Sequence, residues 1–320
     1  MVIDKNSKNI NYPSQFAILL GLTGAGVVAS AILTGLIWVM MQGMTMPSKT
    51  DDLFQLKYYN VLMVIQAVTT FFIFFVPVYF FAVICYRNPN RFLGFNMRIN
   101  YKQIFLLLCI LFLTFPLSGT LAEFTKFLPI PQSWALKFKE WEVSREAQEA
   151  ALIQITSFPK YIISLFIIAL LPAIFEETFF RAGMQNLFIR WFKGPWAAII
   201  LTSIIFSIIH LSFYGFFVRF ALGIILGLLF YYSGSLWLSI LFHFLFNGLQ
   251  VTLLYAMNMK GIKQPKDIEQ HFPMWTGLVA LVLLIYLFGF FKKTSEMEQA
   301  KYPEDELPEN DFNNWAGNQS

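Results

Sequence analysis

The sequence predicts an all-α fold, a polytopic bundle of about eight transmembrane helices with one amphipathic helix outside the membrane. Of the 320 residues, 57% are hydrophobic and only 13% are charged, whereas a soluble domain is roughly 25% charged. Apolar runs near the ~20 residues that a helix needs to cross the hydrocarbon recur along the whole chain. This composition excludes an ordinary soluble protein, a disordered chain and a nucleic-acid binder with a basic face.

The apolar segments define the predicted helices. The fourth segment has only 15 uncharged residues before Glu176, so it reaches spanning length only if its helix carries Glu176 and Glu177 inside the membrane. We therefore predict a long fourth helix that continues to about Arg190. The predicted spans are Ala17–Met41, Val61–Tyr86, Gln103–Leu121, Tyr161–Glu177 and onward, Gly194–Leu211, Phe216–Tyr232, Leu236–Met257 and Trp275–Phe291.

Basic residues in the short loops predict the orientation. The loop between the second and third spans contains Arg87, Arg91, Arg98 and Lys102 and no acidic residue, and loops of this kind face the cytoplasm. Alternation then places both termini on the cytoplasmic side. We expect an integral, multi-pass membrane protein, and the expected location is the cytoplasmic membrane of a bacterium.

These features divide the chain into four parts. Residues 1–160 hold three spans and a long outer loop, residues 161–257 a core of four spans, and residues 258–293 a second outer loop and the last span. Residues 294–320 contain seven acidic residues and one basic residue. Such a segment is typical of a solvated, disordered tail, here on the cytoplasmic side.

The long outer loop interleaves aromatic and charged residues between Ser133 and Phe158. This pattern predicts an amphipathic helix with Ser133 as its N-cap. Two interpretations stay open. The helix lies on the membrane surface with its aromatic side chains in the interface, or it covers a cavity in the bundle.

Ionisable residues inside the core spans are the strongest functional signal. Glu177 and Arg181 are four residues apart and can pair on one helix face, while Glu176 is turned by about 100° from Glu177. His210 and His243 fall within later spans, and groups of this kind at membrane depth mark a functional interior. Arg219, at the start of the sixth span, is expected to extend to the interface. The charged residues between Tyr161 and Met259 are Glu176, Glu177, Arg181, Arg190, Lys193 and Arg219.

Several functions suit this set of side chains. A carboxylate and an imidazole can take a proton from water for hydrolysis, and imidazole and amide N–H groups can stabilise an oxyanion. The same groups could instead bind zinc. Buried Glu–Arg and His–Asn pairs could also simply join helices. A proton-coupled transporter would show corresponding broken helices in two halves of the chain, which this sequence lacks.

Three motifs occur in order on successive spans and resemble one family. Residues 176–181 fit E-E-x-x-x-R, residues 206–210 fit F-x-x-x-H and residues 243–247 fit H-x-x-x-N. Together they resemble the CPBP family, which comprises the CAAX prenyl endopeptidases of the Ras-converting type and bacterial bacteriocin-processing or immunity proteins. The resemblance covers about residues 161–257.

The resemblance implies an intramembrane endopeptidase and a role for each motif residue. Glu176 and His210 would activate the hydrolytic water, and His243 and Asn247 would form the oxyanion site. Glu177 and Arg181 would support them. Members of the family are described as metalloproteases and as metal-free glutamate proteases. We favour the glutamate type, without a metal cofactor; in the zinc alternative, Glu176, His210 and His243 would be the ligands.

The expected partners are membrane lipid and a membrane-associated peptide or lipid-modified protein, which the resemblance suggests is cleaved near a C-terminal prenylated cysteine. No nucleic-acid partner is expected. The alternative to an enzyme is a catalytically silent relative, such as an immunity or scaffold protein of the membrane.

Overall fold

The computed structural model describes residues 7–44, 56–95, 99–152, 155–261 and 273–301 and shows a bundle of helices. Seven of the described helices are long and apolar enough to cross a membrane, which confirms the all-α transmembrane fold. The helices are α1 (Tyr12–Gln42), α2 (Tyr59–Cys85), α3 (Pro89–Leu93), α4 (Tyr101–Lys126), α5 (Gln132–Leu152), α6 (Phe158–Phe192), α7 (Pro195–Ile208), α8 (Phe216–Ser233), α9 (Leu236–Met259) and α10 (Met274–Gln299).

The predicted long fourth helix is present as α6. It runs without a break from Phe158 to Phe192 over 35 residues, about 52 Å at 1.5 Å per residue. This length exceeds a hydrocarbon core of ~30 Å and places Glu176 and Glu177 near the middle of the helix. The charged pair is therefore carried inside a continuous helix, as the sequence required.

Within the described ranges, three wide, π-helical turns interrupt the regular α-helical hydrogen bonding. Phe71–Phe75 in α2 precedes Pro77, and Leu165–Leu170 in α6 precedes Pro172. Proline lacks an N–H group and crowds the carbonyl one turn before it, so a wider turn relieves that contact. The third wide turn, Thr178–Gln185, begins directly after Glu177 and contains no proline. Wide turns of this kind are frequent at functional sites.

Helix α7 is shorter than the predicted span Gly194–Leu211. It contains 14 residues, or about 21 Å, and ends where the chain turns back toward α8. Ser207 Oγ donates a hydrogen bond of 2.6 Å to the Phe216 carbonyl, and Leu211 has a left-handed φ of 49°. These local contacts end the helix inside an apolar run, so hydropathy alone placed its end too late.

Helix α10 is longer than predicted and continues past Phe291 to Gln299, into the segment expected to be disordered. Side-chain hydrogen bonds attach its last turns to the start of α4. Asn100 Nδ2 donates to Glu298 Oε2 at 2.8 Å, and Gln103 Nε2 donates to Ser295 Oγ at 3.0 Å. Residues 302–320 of the predicted tail, like His271 in the second outer loop, lie outside the described residues.

Close packing of α7 against α8 gives a testable stability prediction. A Cβ atom added to Gly223 would lie 2.7 Å from Ser203 Cβ and 2.9 Å from Ser203 Cα. We expect Gly223→Ala to lower the free energy of unfolding by about 1–3 kcal/mol, because the two helices must separate. Gly289→Ala is the matched control, since an added Cβ there meets no described atom within 4 Å. The midpoint temperatures of thermal unfolding in detergent are compared for the two variants, and equal midpoints would contradict the packing argument.

Candidate active site

A buried carboxylate joins two helices at the centre of the core. Glu177 on α6 is fully buried, and its Oε1 accepts a hydrogen bond of 2.9 Å from His243 Nδ1 on α9. Its Oε2 accepts a 3.0 Å hydrogen bond from Arg181 Nε, one turn along α6. The pairing predicted from the four-residue spacing is therefore present. Because a carboxylate only accepts hydrogen bonds, His243 carries its hydrogen on Nδ1.

The second imidazole, that of His210, borders the ring of Phe206. His210 lies in the turn after α7 and not within a span, because the helix ends at Ile208. Its Nδ1 donates to the Phe206 carbonyl at 2.7 Å, so in the neutral ring Nε2 carries the lone pair. The Phe206 ring makes edge contacts with His210 at 4.8 Å and with His243 at 6.2 Å between centroids. Both imidazoles therefore border one phenyl ring.

The remaining two motif residues, Glu176 and Asn247, are half-buried. Glu176 precedes the bridging Glu177, and Asn247 follows His243 by one turn of α9. No hydrogen bond joins either side chain to another residue in the described ranges. The site thus combines a fixed, buried Glu177 with two half-buried polar side chains.

The amphipathic helix α5 packs against the loop that follows His210. The Phe138 ring stacks on Phe213 with centroids 4.4 Å apart and planes at 4°, and Ser212 Oγ donates to Glu142 Oε2 at 2.9 Å. These contacts favour the interpretation of α5 as a cover over the site. The helix begins at Gln132, so Ser133 lies inside it and the predicted N-cap at Ser133 is wrong.

Sequence reasoning missed three polar residues around this centre. Arg219 was expected to extend to the interface, and its Nη1 lies close to Gly215 in the loop that follows His210. Gln185 and Thr202 are fully buried on α6 and α7. The spacing of Glu177, Arg181 and Gln185 at four-residue intervals was a signal in the sequence for a polar stripe along α6.

The fit of a metal ion can be judged from the same side chains. Over the described ranges, no three His, Cys, Asp or Glu side chains gather in a way that could hold a metal ion. The hydrogen bond from His243 Nδ1 to Glu177 leaves His243 Nε2 as the other ring nitrogen. The set expected for zinc, Glu176, His210 and His243, is not gathered into a ligand group among the described residues, and the mechanism proposed below has no step through a metal.

Comparison with known proteins shows what the core is similar to. The family model described as "Type II CAAX prenyl endopeptidase Rce1-like" matches residues 158–249, from the start of α6 to a point within α9 just after Asn247. Comparisons with curated proteins and with solved structures give no match. The match contains all three motifs, and the seven apolar helices make the chain an integral membrane protein. Residues 158–249 are therefore similar to the Rce1-like family of type II CAAX prenyl endopeptidases, which is consistent with the CPBP resemblance of the motifs.

Proposed function

We propose that this protein is an intramembrane endopeptidase that hydrolyses peptide bonds of membrane-associated substrates by a metal-free, glutamate-type mechanism. One observation carries the proposal. The buried Glu177 carboxylate holds His243 and Arg181 through its two oxygens, directly beside a half-buried Glu176 that has no hydrogen bond to a described residue. A carboxylate that accepts the Nδ1–H of an imidazole fixes the tautomer and the orientation of that ring for acid–base chemistry.

Glu176 and His210 are the proposed general bases. The Nδ1–H of His210 is held by the Phe206 carbonyl, which directs the basic Nε2 away from that bond. A water molecule between Glu176 and His210 would lose a proton to one of them as its oxygen attacks the scissile carbonyl carbon. The same group would then return the proton to the leaving amine as the carbon–nitrogen bond breaks.

His243 and Asn247 are the proposed oxyanion donors. Because Nδ1–H of His243 points to Glu177, its Nε2 can donate to an oxyanion only when the ring is protonated. The Glu177 carboxylate provides the counter-charge for that state, and Arg181 holds Glu177 in its ionised form and orientation. The Asn247 amide would supply a second N–H group to the developing negative charge.

The proposed substrate is an extended peptide near a lipid-modified end, of the CAAX type that the family implies. The site lies on long apolar helices, and the cover helix α5 exposes Trp134 and Trp141 by 51% each, as suits contact with membrane lipid. We propose the location that the sequence predicts: the protein lies in a cytoplasmic membrane, with a bacterial membrane preferred, and both termini are on the cytoplasmic side. A catalytically silent immunity or scaffold protein is the alternative.

Peptide cleavage by the purified protein in detergent tests this proposal. Quenched peptides with and without a prenylated C-terminal cysteine would be compared, each with and without a strong zinc chelator. We expect cleavage of the prenylated peptide that persists in chelator. Loss of cleavage in chelator would contradict the glutamate mechanism and favour zinc. Absence of cleavage of every peptide would contradict the enzyme proposal and favour the silent relative.

A further inference from the structure

A group of buried polar atoms lies one turn beyond the Glu177–Arg181 pair. Arg181, Gln185 and Thr202 are each 0% exposed. Arg181 Nη1 and Nη2, Gln185 Oε1 and Thr202 Oγ1 have no hydrogen-bond partner among the described residues. Buried polar atoms of native proteins are nearly always paired with protein or with ordered water, so a group of four without a partner requires an explanation.

Helix register places these residues at two adjacent levels of the bundle. Helices α6 and α7 are joined by a short turn and run antiparallel, with the Arg181 guanidinium 5.3 Å from the centre of the Phe206 ring. One turn further along α6 is Gln185, and one turn back along α7 is Thr202. Antiparallel helices bring such positions to the same level. Gln185 and Thr202 are therefore at one level and Arg181 is one turn away, and these two adjacent levels make up one polar layer beside the candidate active site.

The chemistry of this layer suits water. Gln185 Nε2 donates to the Gly227 carbonyl on α8 at 3.0 Å, which fixes the amide so that Oε1 remains as an acceptor. Arg181 contributes N–H donors, and the Thr202 hydroxyl can both donate and accept. An anion could only accept hydrogen bonds, and the charge of Arg181 is already matched by Glu177 at 3.0 Å. A molecule that donates and accepts satisfies the whole set.

We propose that ordered water binds between Arg181, Gln185 and Thr202 and fixes the Arg181 guanidinium. Gln185 and Thr202 are then positioning residues. They act through the water on Arg181, which holds the Glu177 carboxylate and through it His243. The water site is inferred from the buried polar atoms alone. Its effect on catalysis rests on the proposed function.

Thr202→Val tests the site, because valine keeps the volume of threonine and removes the hydroxyl. Thr120→Val is the matched control. Thr120 Oγ1 is also buried without a described partner, but it lies on α4 against Gly277 of α10. Thr202→Ser restores a hydroxyl. Each variant would be examined by a structure at a resolution that shows ordered water, and by kcat and KM for the cleaved peptide.

In the wild type we expect a water peak at about 2.7–3.2 Å from Thr202 Oγ1 and an Arg181 Nη atom. Thr202→Val is expected to lose this peak and to lower kcat by about tenfold with KM unchanged, as for other residues that orient a catalytic group indirectly. Thr202→Ser is expected to restore both, and Thr120→Val to change neither. A fall in kcat without a change in KM separates positioning from a general loss of structure.

Three results would overturn the proposal. One is a wild-type structure without a peak in this layer, and another is an anomalous signal there after bromide replaces chloride, which would identify an anion. The third is a kcat of Thr202→Val equal to that of Thr120→Val, which would remove the positioning role. If the wild type cleaves no peptide, the proposed function fails, but the water peak still decides the site itself.

Discussion

Replacing Glu176 with Gln is expected to lower kcat for peptide cleavage by a factor of about 10²–10⁴, the usual effect of removing a general base. Glutamine keeps the size of the side chain and removes its ability to accept a proton. The folded protein should persist, because Glu176 is half-buried and has no hydrogen bond to a described residue that the change would break. Initial-rate kinetics on the prenylated peptide measure the effect, and thermal unfolding confirms the fold.

Glu123→Gln is the control for this substitution. Glu123 lies near the end of α4 and pairs with Lys126 at 2.8 Å, outside the candidate active site. The same chemical change there should leave kcat within about twofold of the wild type, since it alters a partly exposed ion pair that is not part of the candidate active site. An equal loss of kcat in both variants, or full activity in Glu176→Gln, would contradict the role of Glu176 as the base.

Replacing Arg181 with Leu is expected to lower the free energy of unfolding by about 3–5 kcal/mol, because it leaves the buried Glu177 charge without its cationic partner. Arg181 and Glu177 are both 0% exposed, and their contact is 3.0 Å. The double variant Glu177→Leu/Arg181→Leu should cost less than the sum of the two single variants, since neither charge is then left unpaired. Denaturant titration of the wild type, the two single variants and the double variant, each in detergent micelles, gives the coupling energy.

The exposed pair of Lys126 and Glu123 provides the comparison for this cycle. Its side chains are 51% and 28% exposed, and exposed ion pairs contribute about 0–1 kcal/mol. We expect a clearly larger coupling energy for Arg181 and Glu177 than for this surface pair. Equal coupling energies would mean that the buried bridge does not hold the site together.

The sequence was sufficient to predict the bundle and much of the site for simple physical reasons. Hydrocarbon excludes charge, so the pair Glu176–Glu177 within an apolar run required a long α6, which the structure shows. The helical period brought Glu177 and Arg181 to one face, and their hydrogen bond is present. Both inferences depend on short-range geometry, which a single sequence contains.

Contacts between helices could not be predicted in the same way. The bond of Ser207 to Phe216 ends α7 before His210, and no periodic pattern marks such a contact. The stacking of Phe138 on Phe213 joins α5 to a loop about 75 residues away along the chain. Hydropathy patterns report local structure and do not predict contacts between such distant segments. Thr202 looks like an ordinary polar residue in an apolar helix until α6 is placed against it.

The measurement that tests the central claim most directly is cleavage of the prenylated peptide in H₂¹⁸O, with mass spectrometry of both products. The claim is that the core within residues 158–249 activates water for peptide hydrolysis. It predicts one solvent ¹⁸O atom in the new carboxyl group of the amino-terminal product from the wild type, and formation of that product about 10²–10⁴-fold more slowly by Glu176→Gln. Absence of products from the wild type, or products whose new carboxyl group lacks the label, would contradict it.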